Sequence, residues 1–146
     1  MHFVSTRNAS PAASLSAAIA AGLAPDGGLY VPQTMPPARA LAAGDSLPRT
    51  AATLLQPFFD DDGLEGDLPA ICESAFDFPA PLLPLATLND HVLELFHGPT
   101  AAFKDFGARF LAQCLTRLRG AQEPPLTILV ATSGDTGAAA VSYTHL

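Results

Sequence analysis

Residues 97–109 read HGPTAAFKDFGAR, and this stretch decides how the second half of the chain folds. It places a lysine, Lys104, between two phenylalanines shortly after a Gly-Pro turn. Over residues 101–118 apolar side chains recur at spacings of three and four, which predicts an amphipathic helix. Residues 91–96 alternate in polarity as a strand does. We therefore predict a strand, a turn and a helix with Lys104 in its first turn.

A second strand-helix unit follows the first. Residues 120–125 contain the glycine and prolines that end a helix. The run LTILVA at 126–131 has the length and composition of a strand buried on both faces of a parallel sheet. The loop TSGDTG at 132–137 comes next, and a helix begins near residue 138. Two such units predict an α/β structure with a mainly parallel sheet and ligands outside the carboxyl ends of its strands.

The first half of the chain has the signals of a smaller α+β region. Ser10 and Pro11 are typical of the first residues of a helix, and Gly22 is typical of the residue that ends one. We therefore predict a helix over about 10–21. A turn at 24–28 and a short strand at 29–31 follow. Further helices are predicted over 50–59, ending near Pro57, and from residue 68.

Prolines and aromatic residues fill the stretch 76–84, which we interpret as an irregular connector. The character of the sequence changes after it. We place a domain boundary there, with an N-terminal region over residues 1–80 and the start of a second domain over residues 81–146.

Composition limits the classes of partner. The formal net charge of −7 argues against a nucleic-acid backbone or an anionic membrane, because both bind basic surfaces. Cys72 and Cys114 lack the spacing of a disulfide framework or a zinc site. The apolar stretch 11–24 is too short to span a membrane and lacks a basic flank. We expect a cytoplasmic protein without a signal peptide.

The acidic segment 60–67, DDDGLEGD, offers hard oxygen ligands of the kind that calcium prefers. Its spacing does not match an EF-hand loop. We interpret the segment as a solvated loop and predict no metal site in the chain.

Lys104 has two interpretations on these residues alone. Aromatic neighbours would desolvate its ammonium and favour the neutral, nucleophilic amine that a Schiff-base lysine needs. Alternatively, its stem covers Phe103 or Phe106 while its charged end reaches water.

The loop 132–137 also has two interpretations. Its glycines can turn backbone N–H groups toward a ligand, and the hydroxyls of Thr132, Ser133 and Thr136 add donors at a helix N-terminus. These features favour a carboxylate or phosphate ligand, although the negative charge of Asp135 would repel an anion unless it faces a cation. The alternative is a helix cap without a ligand. Neither a P-loop nor a dinucleotide-binding spacing is present.

Taken together, FKDFG at 103–107 and SGDTG at 133–137 resemble the N-terminal part of the pyridoxal-phosphate enzymes of the tryptophan-synthase β class, known as fold type II. Within that class the chain resembles the threonine synthases. The similarity includes STRN at 5–8, GLAPDGGLYVP at 22–32 and the stretch 97–110. It runs from about residue 3 to residue 141.

The resemblance implies specific roles. Lys104 would bind pyridoxal 5'-phosphate covalently and then move protons, while the cofactor withdraws electrons. The family converts O-phospho-L-homoserine and water to L-threonine and phosphate. Thr132, Ser133 and Thr136 would bind the substrate, and Asp135 would contact the cofactor. Asp105 and Arg109 belong to the same motif, and we expect structural roles for them, with a possible i, i+4 pair.

The chain departs from the family at its end. Family members continue for several hundred residues, and residues 142–146 do not resemble their next helix. We expect a fragment that is inactive by itself. Two alternatives remain open: a related phospho-lyase or other eliminating enzyme of fold type II, and a noncatalytic anion-binding domain.

Overall fold

Short strands and helices alternate along the chain in the computed structural model, which describes residues 1–87, 89–119 and 123–143. The elements are β1 (Phe3–Ser5), α1 (Leu15–Ala21), β2 (Tyr30–Pro32), α2 (Leu47–Phe59), a 3₁₀ turn (Glu65–Asp67), α3 (Leu68–Ala75), β3 (Leu82–Pro84), β4 (His91–Leu93), α4 (Lys104–Leu118) and α5 (Asp135–Tyr143). The expected mixture of helices and strands is confirmed.

Within the described residues the strands form two antiparallel pairs. β1 pairs with β2, so that Phe3 lies opposite Pro32, and β3 pairs with β4, so that Leu82 lies opposite Leu93. The sequence did not predict β3, because Pro84 and its neighbours resemble an irregular connector. A two-stranded pair accommodates this proline because each of its strands is an edge strand. The strand predicted over 91–96 ends early, at Leu93.

The apolar run 126–131 does not form the predicted strand among the described residues. Its side chains are instead largely exposed, and that of Leu129 is 91% accessible to solvent. A buried strand needs neighbouring strands to bond its backbone N–H and C=O groups. No described strand lies beside this run, which explains why its sequence and its structure differ.

Helix starts differ from the predictions more than helix ends do. α1 begins at Leu15 with Ser14 as its N-cap, because Ala13 pairs with Phe3 in an isolated bridge and keeps the chain extended. The stop at Gly22, with a φ of +70°, is confirmed. α2 begins at Leu47 behind the Ser46 cap and continues through Pro57 to Phe59.

The later helices follow the predicted pattern. α4 ends at Leu118, while Gly120, the expected stop, lies outside the described residues. α5 starts at Asp135, three residues before the predicted start. Of the terminal residues 142–146, the first two belong to α5 and the last three lie outside the described residues.

The core forms around α3, whose Leu68, Ile71 and Cys72 are fully buried. α4 adds Phe110 and Cys114 to the same cluster. This packing joins residues from both sides of the proposed boundary at residue 80, and the boundary itself stays a prediction.

Both cysteines are free and buried in this core. Burial raises the pKa of the Cys72 thiol to about 11 and that of Cys114 to about 12. Both thiols therefore stay protonated at neutral pH.

The acidic segment has a structural role that the sequence did not indicate. Asp62 accepts hydrogen bonds from the backbone N–H and hydroxyl of Ser16, in the first turn of α1, and from the N–H of Leu64. Partial burial raises the pKa of Asp62, but these hydrogen bonds outweigh it and lower the pKa below its usual value. Most of the segment is exposed, as expected of a solvated loop, whereas Asp62 is partly buried and fixed by these hydrogen bonds.

The described residues contain neither a membrane-spanning helix nor a cluster of metal-ligating side chains. No helix there is long and apolar enough to cross a membrane. No group of three or more His, Cys, Asp or Glu side chains there is placed to hold a metal ion.

The opening motifs of the chain form one hydrogen-bonded unit. The buried Ser5 hydroxyl donates to Asp26 Oδ1 at 2.6 Å, and the backbone N–H groups of Ala9 and Gly28 also donate to this carboxylate. Arg7 Nη1 donates to the carbonyl oxygen of Asp26 at 2.9 Å. A Cβ at Gly28 would overlap the Ser5 hydroxyl, so glycine is required there. Arg7 thus ties the N-terminus to the turn before β2.

The hydrogen bond from Ser5, with those from the N–H groups, lowers the pKa of Asp26 to about 2. A carboxyl group whose pKa is lowered by folding stabilises the fold above its unfolded pKa of about 3.9. That contribution is lost as the pH falls through about 2.

Replacing Ser5 with alanine should raise the pKa of Asp26 toward 3.8. The loss of unfolding free energy should be largest above about pH 4 and should shrink toward pH 2. Carboxyl NMR titration and urea unfolding at several pH values measure both effects. Ser46→Ala, which removes a helix cap without a carboxylate partner, is the control and should destabilise equally at all these pH values. A pH-independent effect of Ser5→Ala would contradict the prediction.

Candidate active site

Lys104 is the chain's one lysine and the first residue of α4. It follows a tight turn in which the Ala101 N–H donates to the carbonyl of Gly98 at 3.0 Å. The predicted order of strand, turn and helix is confirmed here. The helix forms because Phe110, Cys114 and Leu118 lie on one face and pack into the core.

The amine of Lys104 lies beside both a carboxylate and an aromatic ring. Nζ is 3.5 Å from Asp135 Oδ2 and 4.5 Å from the centre of the Phe103 ring. Each of these contacts attracts a cation. The lysine side chain is 32% exposed and that of Asp135 is 69% exposed, so the pair contributes at most about 1 kcal/mol.

The expected aromatic surroundings of Lys104 form only in part. Phe103 stands next to the amine, whereas the Phe106 ring packs at 4.8 Å from Phe78 and 6.0 Å from Phe76. The amine contacts one ring and about a third of the side chain is exposed, so both interpretations of Lys104 stay predictions.

A cavity of about 660 Å³ opens between α4 and α5 next to this amine. That volume lies in the range of sites for cofactors and small ligands. Most of its lining is apolar, and Lys104 and Thr136 supply polar groups. The lining residues are Leu95, Phe103, Lys104, Phe106, Gly107, Ala108, Leu111, Ile128, Val130, Thr136, Ala140 and Tyr143.

A second cavity of about 350 Å³ lies on the side where the chain approaches α4. It shares Leu95 and Phe103 with the first cavity, and Asp135 also lines it. Asp135 thus faces a cation and stands at an opening, which accounts for a carboxylate within a loop that otherwise favours anions.

Residues 132–134 pack closely against the first turn of α5. The N–H of Gly134, at a φ of +138°, donates to Thr132 Oγ1 at 3.2 Å. A Cβ at Gly137 would lie 2.9 Å from Thr132 Cγ2, so a larger residue there would displace the Thr132 side chain. The two glycines of the motif therefore determine the shape of the loop.

The predicted site residues do not all meet. The structure brings Lys104, Asp135 and Thr136 together at the larger cavity and its rim. Thr132 and Ser133 are exposed and line neither of the two cavities. Their role in binding stays a prediction.

Sequence reasoning missed the extent to which Asp105 and Arg109 are buried, at 1% and 6% exposure. Asp105 accepts hydrogen bonds from Thr100. The prediction that Arg109 pairs with Asp105 is wrong, because Arg109 forms its ion pair with Asp77 at 2.7 Å. Both residues lie away from the helix side of Phe110, Cys114 and Leu118, so the periodicity gave no signal of their burial.

His97 contacts Glu94 through Nε2 at 2.6 Å. His97 lines neither of the two cavities.

Comparisons with known proteins identify the family of the chain. The family profile described as "Threonine synthase N terminus" matches residues 2–76. The threonine synthase of Haemophilus influenzae is 44% identical over 128 residues, which cover 86% of this chain and 29% of that protein.

Two solved structures are also similar. The PLP-bound threonine synthase from Brucella melitensis superposes with a TM-score of 0.84 at 38% identity, covering 97% of this chain and 32% of that chain. For threonine synthase from Escherichia coli the TM-score is 0.83 at 37% identity, with 97% and 33% covered. The chain thus spans about a third of the length of these relatives. With the profile matching half of its residues, the chain belongs to the threonine synthase N-terminus family.

Proposed function

We propose that the chain supplies the N-terminal part of a threonine synthase, which converts O-phospho-L-homoserine and water to L-threonine and phosphate with pyridoxal 5'-phosphate. One observation carries the proposal. The chain's one lysine lies beside a cavity of about 660 Å³ and 3.5 Å from Asp135 of the SGDTG loop. The order of these groups along the chain matches the order in the family.

The residues around the cavity fit the cofactor. A primary amine at a largely apolar cavity is the nucleophile that an aldehyde cofactor requires. When bound, pyridoxal phosphate would withdraw electrons from the carbon atoms of an attached amino acid and so ease their loss of protons. Lys104 would hold it covalently through Nζ, and Asp135 would contact it from the rim.

Lys104 has a second task in the proposed reaction. Once its amine is released, Nζ can take a proton from the substrate and return one, as a general base and acid. Before it takes this proton, the amine must break its ion pair with Asp135. That exposed pair contributes at most about 1 kcal/mol, which is weak enough to allow this. The carboxylate can then stabilise the positive charge whenever Nζ carries the proton.

The loop residues would bind the anionic groups of the substrate. Thr136 lines the cavity, and Thr132 and Ser133 are hydroxyl donors near the N-terminus of α5. Hydroxyls and backbone N–H groups at a helix N-terminus favour a carboxylate or a phosphate. We assign the substrate's acidic groups to this loop.

The fold type II arrangement is part of the proposal. Residues 126–131 would enter a mainly parallel sheet, which their continuous apolar sequence suits. Residues 1–80 would form the N-terminal region, and residues from 81 onward would begin the cofactor domain. The two free, buried thiols fit a reducing cytoplasm. The net charge of −7 favours a small-molecule substrate over nucleic acid or an anionic membrane as partner.

A chimera tests the proposal. Residues 1–141 replace the equivalent segment of the Escherichia coli threonine synthase, which they cover to 33%. We expect a yellow protein that releases phosphate from O-phosphohomoserine. Lys104→Ala should reduce this rate by at least about 10²-fold, because it removes both the covalent attachment and the general base.

Lys104→Arg is the matched control, since it keeps the charge beside Asp135 but lacks a nucleophilic amine. It should be as inactive as Lys104→Ala. Borohydride reduction followed by peptide mass spectrometry should place the cofactor on Lys104. A chimera that melts cooperatively yet binds no cofactor contradicts the proposal and favours a noncatalytic domain. Cofactor binding with elimination but no threonine favours another lyase of the class.

The 146-residue chain by itself should be inactive and poorly soluble, because the run 126–130 exposes large apolar side chains. Leu129→Asp should raise its solubility, measured by light scattering at increasing concentration. Leu23→Asp, at a 57% exposed position outside the run, is the control and should change solubility less. A monodisperse, active wild-type chain would contradict this prediction.

A further inference from the structure

The turn before α4 is held by a buried carboxylate that the proposed reaction does not use. Asp105 is 1% exposed, and both of its oxygens are occupied. Oδ2 accepts a hydrogen bond from the Thr100 backbone N–H at 2.9 Å, and Oδ1 accepts one from the Thr100 hydroxyl at 2.7 Å. A Cβ at Gly98 would overlap this carboxylate, so the turn closes tightly over it.

The backbone of the turn is strained. Ala101 has a φ of +55°, a left-handed conformation that residues with a Cβ rarely adopt. Such a conformation persists only where the surrounding contacts determine it. The hydrogen bonds from Thr100 to Asp105 are such contacts, beside the one from the Ala101 N–H to the Gly98 carbonyl. Without them the turn can relax to a negative φ and move the start of the helix.

A second set of contacts fixes α4 one turn later. Arg109 donates to the carbonyl oxygens of Ala75 at 3.0 Å and Ser74 at 2.8 Å, at the end of α3. Asp105 and Arg109 are four residues apart and lie on the same face of the helix. The two residues have different partners: Asp105 bonds the turn before the helix, whereas Arg109 packs the helix against α3.

The geometry of the turn determines where Lys104, the first residue of α4, points. Successive residues of a helix are turned by about 100°, so Lys104 leaves the helix on a different side from Asp105. The Asp105 side chain faces the turn, whereas the Lys104 side chain faces the cavity and Asp135.

We propose that Asp105 is a positioning residue, which directs the Lys104 amine into the cavity by fixing the turn at Gly98–Ala101. The inference rests on the proposed role of Lys104 as the cofactor lysine. It concerns the geometry of the amine, and it can therefore be examined in the cofactor-free protein as well.

The experiment uses the chimera with Asp105→Ala, Asp105→Asn and, as a matched control, Arg109→Gln. The asparagine can still accept a hydrogen bond from the Thr100 N–H and donate one to its hydroxyl. Arg109→Gln removes the other set of contacts but leaves the turn intact. Thermal melts first establish the folded fraction of each variant.

The first readout is attachment of pyridoxal phosphate to Lys104, followed by borohydride trapping at successive times. Asp105→Ala should slow attachment by about 10-fold or more per folded molecule, since a misplacement of about 1 Å can cost 10²-fold in rate. Asp105→Asn should recover most of the rate. Arg109→Gln should lower the melting temperature with a smaller effect on attachment.

The second readout needs no cofactor. Hydrogen exchange at the Thr100 N–H should accelerate in Asp105→Ala. Acetylation of Lys104 by acetic anhydride should accelerate by about two- to fivefold, the factor that corresponds to losing an exposed ion pair with Asp135. Peptide mass spectrometry isolates this site because Lys104 is the one lysine in residues 1–141.

Unchanged attachment and acetylation rates in a destabilised Asp105→Ala variant overturn the inference, since the residue is then merely structural. The same holds if Asp105→Asn is no better than Asp105→Ala. If the unmodified chimera attaches no cofactor, the proposed function fails. The exchange and acetylation rates then still decide whether Asp105 positions the amine.

Discussion

The guanidinium of Arg109 bonds the last carbonyl groups of α3, and the placement of α4 depends on this contact. Helix ends leave carbonyl oxygens without partners inside the helix. Here the side chain of one helix satisfies those of another, and an ion pair with Asp77 balances its charge. The contact joins residues more than thirty positions apart, so it connects the core of the first half of the chain to the helix that carries Lys104.

Several aspartate side chains stabilise the turns of the chain. Asp26, Asp62 and Asp105 each accept hydrogen bonds from backbone N–H groups in the turns that precede or follow a structural element. Carboxylates used in this way replace water as acceptors and fix the local backbone. Negative charge therefore accumulates where the chain changes direction. Asp135 instead uses its carboxylate to pair with the amine of Lys104, at the edge of the larger cavity.

Local patterns predicted what depends on neighbours in sequence. The three- and four-residue spacing identified α4, and the glycine at 22 marked the end of α1, because both signals act within one or two turns of helix. The position of Lys104 and the loop before α5 followed from the same local reasoning. The start of α1 was missed because Ala13 bonds Phe3, a partner that only the fold brings close.

Contacts between distant residues explain the remaining differences. The partners of Arg109 lie on another helix, so the sequence suggested its neighbour Asp105 instead. The run 126–131 has a sheet sequence, yet strand formation depends on strands that are not beside it among the described residues. For the loop 132–137, composition indicated polar donors but could not indicate that Thr136 reaches the cavity while Thr132 and Ser133 do not.

The two buried thiols have a consequence for how the core moves. Cys72 lies on α3 and Cys114 on α4, so both sulfur atoms belong to the interface that the Arg109 contact closes. A protonated, buried thiol reacts with an alkylating reagent only after it reaches water and ionises. The rate at which Cys72 and Cys114 are alkylated therefore measures how often α3 and α4 separate and the core opens.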